Sequence, residues 1–486
     1  MPLSNIEPQI IWKNFSALNA VPRPSKKEER VIKFIVDFAK SLQLDYIIDE
    51  VGNVIVKKPA TFGMENRKNV VLQSHLDMVH QKNNDTVFDF DKQGIYMYID
   101  GDFVKAKGTT LGADNGLGVA TIMAILESTD IPHPAIEALF TIDEETGMTG
   151  AMGLKAGFLT GEILLNLDTE EDDELDIGCA GGIDVTAIAN YDEEDIKPDD
   201  FIALEITVKG LRGGHSGMDI HKGFGNANKI MNRLLFHAHE DFGLQIVKLN
   251  GGSLRNAIPR ESVAHVLVPK IYEDVFLFES NEIIKDIKNE LKTTEPNLQI
   301  SISNSDKIHN KVMPSLAQFY FLRAIYAAHN GVYRMSADFD NLVETSNNIA
   351  KIKVEAGEVI IENLTRSSVE SSKYDLAHAL KSVYELMGCE VTFSGAYPGW
   401  TPNPNSAILK VMSENYERLF DHKPRVVACH AGLECGILGQ NYPQMDMISF
   451  GPNIYGAHSP DECASISSVE KYWQLVKETL NNIPIK

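Results

Sequence analysis

Short apolar runs that alternate with helical segments constrain the fold of the first part of this chain. Four of these runs have the composition of buried strands, and they lie at 53–56, 70–73, 135–140 and 162–168. Strands that are apolar on both faces belong in a sheet that is covered by helices on both sides. The pattern therefore predicts an α/β fold.

Three of these runs lead into side chains that can bind a metal ion or carry a proton. These side chains are His75 and Asp77, then Asp143, Glu144 and Glu145, and finally Asp168. In open α/β sheets, sites gather beyond the carboxyl ends of the strands, so we expect these side chains to meet. Adjacent carboxylates such as Glu144 and Glu145 repel each other and need compensation. A metal ion bound by one glutamate would compensate this repulsion, and the neighbouring glutamate would then act as general base. The alternative is that these residues form a solvated acidic turn.

Two further segments offer ligands for the same place. Asp114 lies in a glycine-rich stretch, 108–118, which leads into a helix predicted at 117–127. The glycines allow Asp114 to approach a shared centre, and an ordinary helix N-cap is the alternative role for this aspartate. His458 follows a strand predicted at 445–450, again just beyond a strand end.

A change of composition predicts a second domain. The segment 191–200 is acidic and poor in apolar residues, so we place a boundary near it and predict a domain of 1–185 with 394–486, interrupted by an insert at 186–393. The insert alternates strands and helices with a different rhythm, which favours an α+β domain. Its halves show no clear sequence repeat. Its loops contain three candidate functional residues, which are His215, Asn256 and Arg366.

Charge and cysteine content exclude several classes of protein. A net charge of −23 over 486 residues disfavours nucleic acid and anionic membranes as partners, because both require a basic surface. No apolar run approaches the roughly 20 residues of a membrane span. The start, 1–8, lacks the features of a signal peptide. Five scattered cysteines form no disulfide framework, so the expected location is the cytoplasm.

Five side chains form a mixed set of nitrogen and oxygen ligands, and they are His75, Asp114, Glu145, Asp168 and His458. Two histidines and three carboxylates suit two divalent ions, with Zn²⁺ favoured and Co²⁺ or Mn²⁺ as alternatives. One carboxylate must bridge if the ions lie about 3.5–4 Å apart. The set contains no cysteine, which disfavours a closed structural zinc site.

The sequences around these residues resemble the metal-binding motifs of the M20 metallopeptidases. SHLDMV, GADNG, DEETGMTG, NLDTEE and GAHSPDE occur in the order of that family and span nearly the whole chain. The segments SHLDMV, GLECG and GPNIYGAHSPDE are similar to the aminoacyl-histidine dipeptidase branch of the family. The resemblance implies a zinc-peptidase-like catalytic domain with a mixed sheet flanked by helices, and an inserted α+β lid domain.

The resemblance also implies the metal ligands. His75 and Asp168 would hold one of two ions. Glu145 and His458 would hold the other, and Asp114 would bridge them.

Further roles follow from the same resemblance. Asp77 would orient His75, and Glu144 would be the general base. In the lid, His215 would contact the scissile carbonyl, and Asn256 and Arg366 would bind the carboxylate of the substrate.

The implied function is a metal-dependent dipeptidase for unblocked dipeptides, with Xaa-His dipeptides as the label of the branch. An N-acyl amino acid deacylase or a tripeptidase would use the same centre, and a non-catalytic metal-binding protein would keep its ligands. Recognition of the substrate's free amine would separate these functions, and Glu434 and Asp143 are the candidate acids for it. The sequence does not decide between a monomer and a homodimer.

Overall fold

A computed structural model describes residues 3, 5–83, 85–305, 309–339 and 341–486 of the chain. Met1, Pro2 and Ser4, which belong to the start on which the expected absence of a signal peptide depends, lie outside the described residues. The α-helices are α1 (Gln9–Asn19), α2 (Glu29–Ser41), α3 (Ala113–Glu127), α4 (Glu144–Gly147), α5 (Thr149–Gly153), α6 (Ala227–Phe242), α7 (Glu273–Glu290), α8 (Ser315–Ala327), α9 (Glu370–Leu386), α10 (Ala407–Phe420), α11 (Glu434–Asn441) and α12 (Ile466–Asn481).

The strands follow the same chain order. They are β1 (Asp45–Ile48), β2 (Val54–Lys58), β3 (Val70–His75), β4 (Met97–Asp100), β5 (Phe103–Ala106), β6 (Ile136–Thr141), β7 (Ile163–Asn166), β8 (Glu174–Cys179), β9 (Gly181–Asn190), β10 (Glu194–Asp195), β11 (Phe201–Lys209), β12 (Gln245–Gly251), β13 (Ser262–Pro269), β14 (Gln299–Asn304), β15 (Lys311–Val312), β16 (Gly331–Met335), β17 (Val343–Glu355), β18 (Glu358–Ser367), β19 (Glu390–Tyr397), β20 (Arg425–Cys429), β21 (Asp446–Ser449), β22 (Ile454–Tyr455) and β23 (Cys463–Ser465).

The chain divides into two compact units, of which the first is 1–178, 400–428 and 433–486 and the second is 179–399 and 429–432. The expected boundaries lay at 185/186 and 393/394. The second unit begins earlier because β9 is a strand of its sheet, where it lies between β18 and β19. The acidic segment that suggested the boundary comes after this strand, not before it.

The first unit contains an eight-stranded mixed sheet with the order β1-β2-β6-β3-β7-β21-β8-β20. The central strands β6, β3, β7 and β21 are parallel, whereas β1, β2 and β8 pair antiparallel with their neighbours. Every residue of β3, β6 and β7 is buried, as the apolar runs predict. Parallel strands end at the same edge, so this sheet gathers the segments that follow β3, β6 and β7.

The second unit is built on a nine-stranded antiparallel sheet with the main order β14-β11-β13-β12-β17-β18-β9-β19. Its first half contains, in chain order, β11, α6, β12, β13, α7 and β14. Across the sheet its four strands lie in the order β14-β11-β13-β12, which is fourth, first, third and second in chain order. The other half, β9, α8, β17, β18, α9 and β19, gives the same order, and the first half is inserted after β9. The halves join where β12 pairs antiparallel with β17. The α/β fold with an inserted α+β unit is therefore confirmed. The two halves of the second unit have the same strand order, although their sequences show no clear repeat.

The core of the second unit lies between its sheet and its helices. Alternate residues of β11, which are Leu204, Ile206 and Val208, are buried against residues of α6, and α9 packs on β9 and β18 in the same way. Period-two burial is the signature of a sheet with one covered face. Over the described residues, no helix is both long enough and apolar enough to cross a bilayer.

Candidate active site

The parallel strands of the first unit bring predicted ligands to one edge of the sheet. His75 is the last residue of β3, and its partner on β6 is Thr141. The helix α4 starts soon afterwards at Glu144, and Asp168 follows the end of β7. Residues that are distant in sequence therefore meet beyond the carboxyl ends of adjacent strands.

Asp114 lies between the two histidines of the predicted set. Its Oδ1 is 3.1 Å from Nε2 of His75, and its Oδ2 is 3.2 Å from Nε2 of His458. The backbone of Asp114 is extended, with a φ of −80° and a ψ of 114°, at a kink within the range of α3, and both carboxylate oxygens of this residue face histidines. A carboxylate with one oxygen at each histidine has the arrangement that a bridge between two ions requires.

The other two carboxylates of the set divide between the same histidines. Oδ1 of Asp168 lies 3.5 Å from Nε2 of His75, and Oε2 of Glu145 lies 3.0 Å from Nε2 of His458. Nitrogen and carboxylate ligand atoms of His75, Asp114 and Glu145 all lie within 4.8 Å of one another. The five residues thus form two groups that share Asp114.

The electrostatics of this cluster favour a cation. Burial lowers the pKa of His75, but Asp168 and hydrogen bonds with carboxylates raise it well above its usual value. Hydrogen bonds with Asp114 and then Glu145 raise the pKa of His458 to about 11. The Oε1 atom of Glu145 is buried without a hydrogen-bond partner. Three carboxylates around two imidazoles leave excess negative charge in a buried place, and this donor set fits divalent metal ions.

Asp77 contacts both His75 and the start of α4. Its Oδ1 lies 3.4 Å from Nδ1 of His75. The same carboxylate accepts hydrogen bonds from the backbone amides of Glu144 at 3.0 Å and Glu145 at 3.3 Å. Amides in the first turn of a helix stabilise a carboxylate. One buried aspartate therefore fixes the positions of a histidine and of the glutamate pair.

Glu144 is the first residue of a short helix that is enclosed by unusual backbone conformations. Asp143 precedes the helix with a φ of 51°, and Met148 follows it with a φ of 50°. Left-handed conformations of this kind cost on the order of 1 kcal/mol each and persist where the surrounding structure enforces them. Burial raises the pKa of Glu144 well above its usual value. The side chain is thus a stronger base than an exposed glutamate.

Glu462, which was not among the predicted site residues, holds the segment that carries Asp114. Its carboxylate accepts hydrogen bonds from four consecutive amides, 111–114, at 2.7 to 3.3 Å. The residue is 2% exposed. It lies within the motif GAHSPDE, four positions after His458, and this proximity was the only signal in the sequence.

Arg23 holds the same segment from its carbonyl side. The guanidinium donates to the backbone carbonyls of Leu76, Asp77 and Gly112. It is fully buried, and burial lowers its pKa to about 10, which still leaves it charged at neutral pH. Arg23 thus connects the segment after β3 with the segment before Asp114. It belongs to none of the motifs, and no local pattern around it indicates a role at the site.

A buried polar network joins the ends of three parallel strands. Oε2 of Glu434, the first residue of α11, accepts hydrogen bonds from Nε2 of Gln73 and Oγ1 of Thr141, both at 2.6 Å. Asn166 on β7 donates in turn to Oε1 of Gln73. The network fixes the relative positions of the strands that precede His75 and the other ligands.

The two acids considered for the substrate amine both have protein partners. Glu434 is fully buried in the strand-end network. Asp143 accepts a hydrogen bond from the hydroxyl of Thr149 at 2.7 Å and lies 3.4 Å from Nζ of Lys26. The geometry therefore favours structural roles for Glu434 and Asp143 over binding of a substrate ammonium group.

Within the second unit, the three predicted lid residues lie close together. Nη2 of Arg366 is 3.4 Å from Nε2 of His215. The carbonyl of the exposed residue Asn256 accepts a hydrogen bond from the amide of Ser216 at 2.8 Å. Arg366 is buried, and its Nε has no hydrogen-bond partner. The three residues come from separate loops and strands of the sequence.

The hydrogen bonds of His215 define its tautomer. Its Nδ1 accepts from the amides of Gly217 at 3.2 Å and Met218 at 3.0 Å, so the proton of the neutral ring is on Nε2. Burial, and next the charge of Arg366, lower the pKa of His215 to about 4. His215 and Arg366 therefore present N–H donors to the same place, which suits an oxygen atom of a ligand.

His430 also belongs to the second unit, which includes residues 429–432. Its Nε2 lies 2.8 Å from Oγ of Ser346. Burial, then the charges of Arg366 and His215, lower its pKa to about 3. His430 is thus a neutral, hydrogen-bonded histidine of this unit.

The family follows from a comparison with known proteins. A family model described as "Peptidase family M20/M25/M40" matches residues 71–482, a range that includes all five predicted ligands. The chain belongs to peptidase family M20/M25/M40. The predicted membership is confirmed, as is the peptidase class that it implies. A member with this ligand cluster uses divalent metal ions.

Individual M20 relatives resemble the chain over its whole length. It is 45% identical to the cytosol non-specific dipeptidase of Escherichia coli over 100% of this chain and 99% of that protein. The crystal structure of aminoacylhistidine dipeptidase from Vibrio alginolyticus is also 45% identical, with a TM-score of 0.93 over 100% and 99% of the two chains. Aminopeptidase PepT of Bacillus cereus, at 16% identity and a TM-score of 0.58 over 98% and 99%, shares the fold.

Proposed function

We propose that this M20 peptidase is a metal-dependent dipeptidase that hydrolyses unblocked dipeptides, including Xaa-His dipeptides, in the cytoplasm. The observation that carries the proposal is Asp114, whose two oxygens face His75 and His458 beside Glu144. The names of the Escherichia coli and Vibrio alginolyticus relatives, at 45% identity over the full length, support the substrate class.

The proposed ligands separate into two groups. His75 and Asp168 would hold one ion, Glu145 and His458 would hold the other, and Asp114 would be shared between them. The ions are Zn²⁺, with Co²⁺ or Mn²⁺ as substitutes, because two imidazoles and three carboxylates suit borderline cations. When bound, the pair supplies Lewis acidity, which lowers the pKa of a water molecule towards neutrality.

Glu144 is the proposed general base. Its carboxylate takes a proton from the attacking water and delivers it to the nitrogen of the leaving amine as the peptide bond breaks. Two features suit it to this role: burial raises its pKa, and its backbone amide is fixed by Asp77. Asp77 acts through His75 and α4 and does not touch the substrate.

The second unit supplies the proposed contacts with the C-terminal half of the dipeptide. His215 donates from Nε2 to the oxygen of the scissile carbonyl, where negative charge develops during attack. Arg366 binds the terminal carboxylate through Nε and Nη2, a planar pair of donors that matches two carboxylate oxygens. Asn256 binds the same carboxylate. A fixed partner for a free C-terminal carboxylate restricts the enzyme to short peptides.

The proposal is tested by a substrate panel after chelation and addition of Zn²⁺, Co²⁺ or Mn²⁺. The panel contains β-Ala-His, Ala-His, Leu-Gly, a tripeptide, N-acetyl-Ala and N-acetyl-Ala-His. Metal-restored cleavage of the free-amine dipeptides alone is the expected result. Cleavage of N-acetyl-Ala would instead indicate a deacylase, and cleavage of the tripeptide a tripeptidase. A silent panel with metal bound would contradict an enzymatic role.

Glu144→Gln tests the base within that assay. The variant is expected to bind metal as the wild type does and to lose activity by about 100-fold or more, as expected for general base catalysis. Glu50→Gln, at an exposed position of the same unit, is the control and should retain full activity. Unchanged turnover of Glu144→Gln would exclude the assigned role.

A further inference from the structure

Three neighbouring strands of the second unit align a tyrosine, a glycine and an arginine. Gly182 on β9 is the register partner of Arg366 on β18 and also of Tyr397 on β19. The three positions form one row across the sheet, and its middle residue has no side chain. Side chains of directly paired residues on adjacent strands normally contact each other. Arg366 and Tyr397 are separated by the intervening strand β9, so only long side chains can bridge the distance between them.

The ring of Tyr397 occupies the space that a side chain at Gly182 would fill. A Cβ atom on Gly182 would lie 2.6 Å from Cε1, Cζ and Oη of the Tyr397 ring, which is far inside contact distance. The backbone of Gly182 does not adopt a positive φ, so its conformation does not require glycine. Space for the aromatic ring is therefore the reason for glycine at this position.

Across this gap, Tyr397 reaches the guanidinium of Arg366. Nη1 of Arg366 donates to Oη of Tyr397 at 2.8 Å. Burial raises the pKa of Tyr397, so the phenol keeps its proton and acts as a neutral acceptor. The guanidinium is planar, and one bond at Nη1 together with burial fixes the plane of the whole group.

The other edge of the guanidinium is left for a ligand. Its Nε is buried and has no hydrogen-bond partner. Its Nη2 has His215 at 3.4 Å, but Nε2 of that ring is itself a donor because Nδ1 accepts two amides. Two parallel N–H donors without an acceptor suit the two oxygens of a carboxylate.

We propose that Tyr397 is the positioning residue for Arg366 and that Gly182 makes room for the Tyr397 ring. By orienting Arg366, Tyr397 and Gly182 determine the preference for substrates with a free C-terminal carboxylate. Tyr397 occupies the Nη1 side of the fork and thereby directs the Nε–Nη2 edge towards the substrate. This inference rests on the proposed function of Arg366. It assigns the specificity for the free carboxylate to residues on β9 and β19 that do not touch the substrate.

The test compares Leu-Gly with its C-terminal amide, which is measured as a substrate or as a competitive inhibitor. In Tyr397→Phe, which keeps the ring and removes the acceptor, KM for Leu-Gly should rise about fivefold to tenfold while kcat stays the same, as expected for one lost hydrogen bond. The KM of the amide, or its inhibition constant if it is measured as an inhibitor, should not change. Gly182→Ala should produce the same selective effect, because the added methyl group displaces the ring.

Tyr384→Phe is the matched control, since it removes a buried phenol of the same unit that donates to Oδ1 of Asn363 at 3.1 Å. It should leave the ratio of kcat/KM for acid and amide unchanged. Equal losses for acid and amide in Tyr397→Phe, together with a lower melting temperature, would show a merely structural role and overturn the inference.

Arg366→Lys separates the inference from the proposed function. If Arg366→Lys lowers the acid-to-amide ratio and Tyr397→Phe does not, Arg366 binds the carboxylate without help from Tyr397, and the inference is wrong. If Arg366→Lys leaves the ratio unchanged, the carboxylate site assigned to Arg366 in the proposed function is itself wrong.

Discussion

The carboxylate of Glu462 accepts a hydrogen bond from the backbone amide of Asp114 at 3.3 Å. Glu462 also accepts from the three preceding amides, and it lies four residues after His458. One short segment of the chain therefore carries a proposed ligand and fixes the position of the proposed bridge. Outer residues of this kind orient metal ligands and change metal affinity when they are replaced.

Replacement of Glu462 should weaken metal binding. Glu462→Gln loses the negative charge and part of the acceptor capacity that hold amides 111–114, so we expect metal affinity to fall by about 10–100-fold. The measurement is the metal content after dialysis against graded concentrations of a chelator. Asp461→Asn, an exposed neighbour, should bind metal normally. Equal retention of metal by Glu462→Gln and the wild type would contradict this prediction.

Removal of the metal should destabilise the first unit. The carboxylates of Asp114, Glu145 and Asp168 lie around two histidines, and without a cation their mutual repulsion opposes folding. Ligand binding to the native state stabilises it by about 2.7 kcal/mol at a metal concentration of 100 times Kd. Calorimetry with and without chelator should show a lower melting temperature for the apoprotein. In Asp114→Ala this difference should be much smaller, and an unchanged difference would contradict a shared centre.

The strand-end network should contribute to stability. Glu434→Ala removes the acceptor of Gln73 and Thr141 and leaves buried donors unsatisfied, which costs about 1–3 kcal/mol for each group. Urea denaturation should therefore show a lower free energy of unfolding. Glu434→Gln, which keeps the shape and one acceptor oxygen, should be less harmful, and Glu414→Ala on the surface should be neutral. A wild-type stability of Glu434→Ala would show that the network is dispensable.

His430 should make the second unit sensitive to acid. Burial lowers its pKa from 6.5 to about 3, so between these values the unfolded chain binds a proton that the folded chain does not. Stability is therefore complete above pH 6.5 and falls by on the order of 1.4 kcal/mol per pH unit below it. His430→Gln should show a shallower decline in calorimetry between pH 4.5 and 7.5. The exposed control His378→Gln should decline like the wild type, and an equally steep decline in His430→Gln would contradict the assignment.

The amino-acid sequence determined the elements that depend on local patterns. The apolar runs at 70–73 and 135–140 predicted buried strands, and the structure forms β3 and β6 there. The helix predicted at 117–127 lies within α3, which also ends at Glu127. Alternation and helical periodicity are short-range properties, so they can be recognised without knowledge of the partner strands.

The sequence also determined the proposed metal ligands, because the types of His75, Asp114, Glu145, Asp168 and His458 and the motifs around them carry the chemistry. Their division around Asp114 was implied only by the family resemblance, and the distances agree with it. Ion identity, the general base and the lid contacts stay predictions for the experiments above.

Only the tertiary structure decided the supports of the site. Arg23 contacts carbonyls more than 50 residues away, and its surroundings in the sequence look like an ordinary loop. Gly182 carries no chemical signal at all, and its role exists only because β18, β9 and β19 are neighbours in the sheet. Strand order, register and burial are set by contacts between distant segments, and a local pattern does not specify which segments those are.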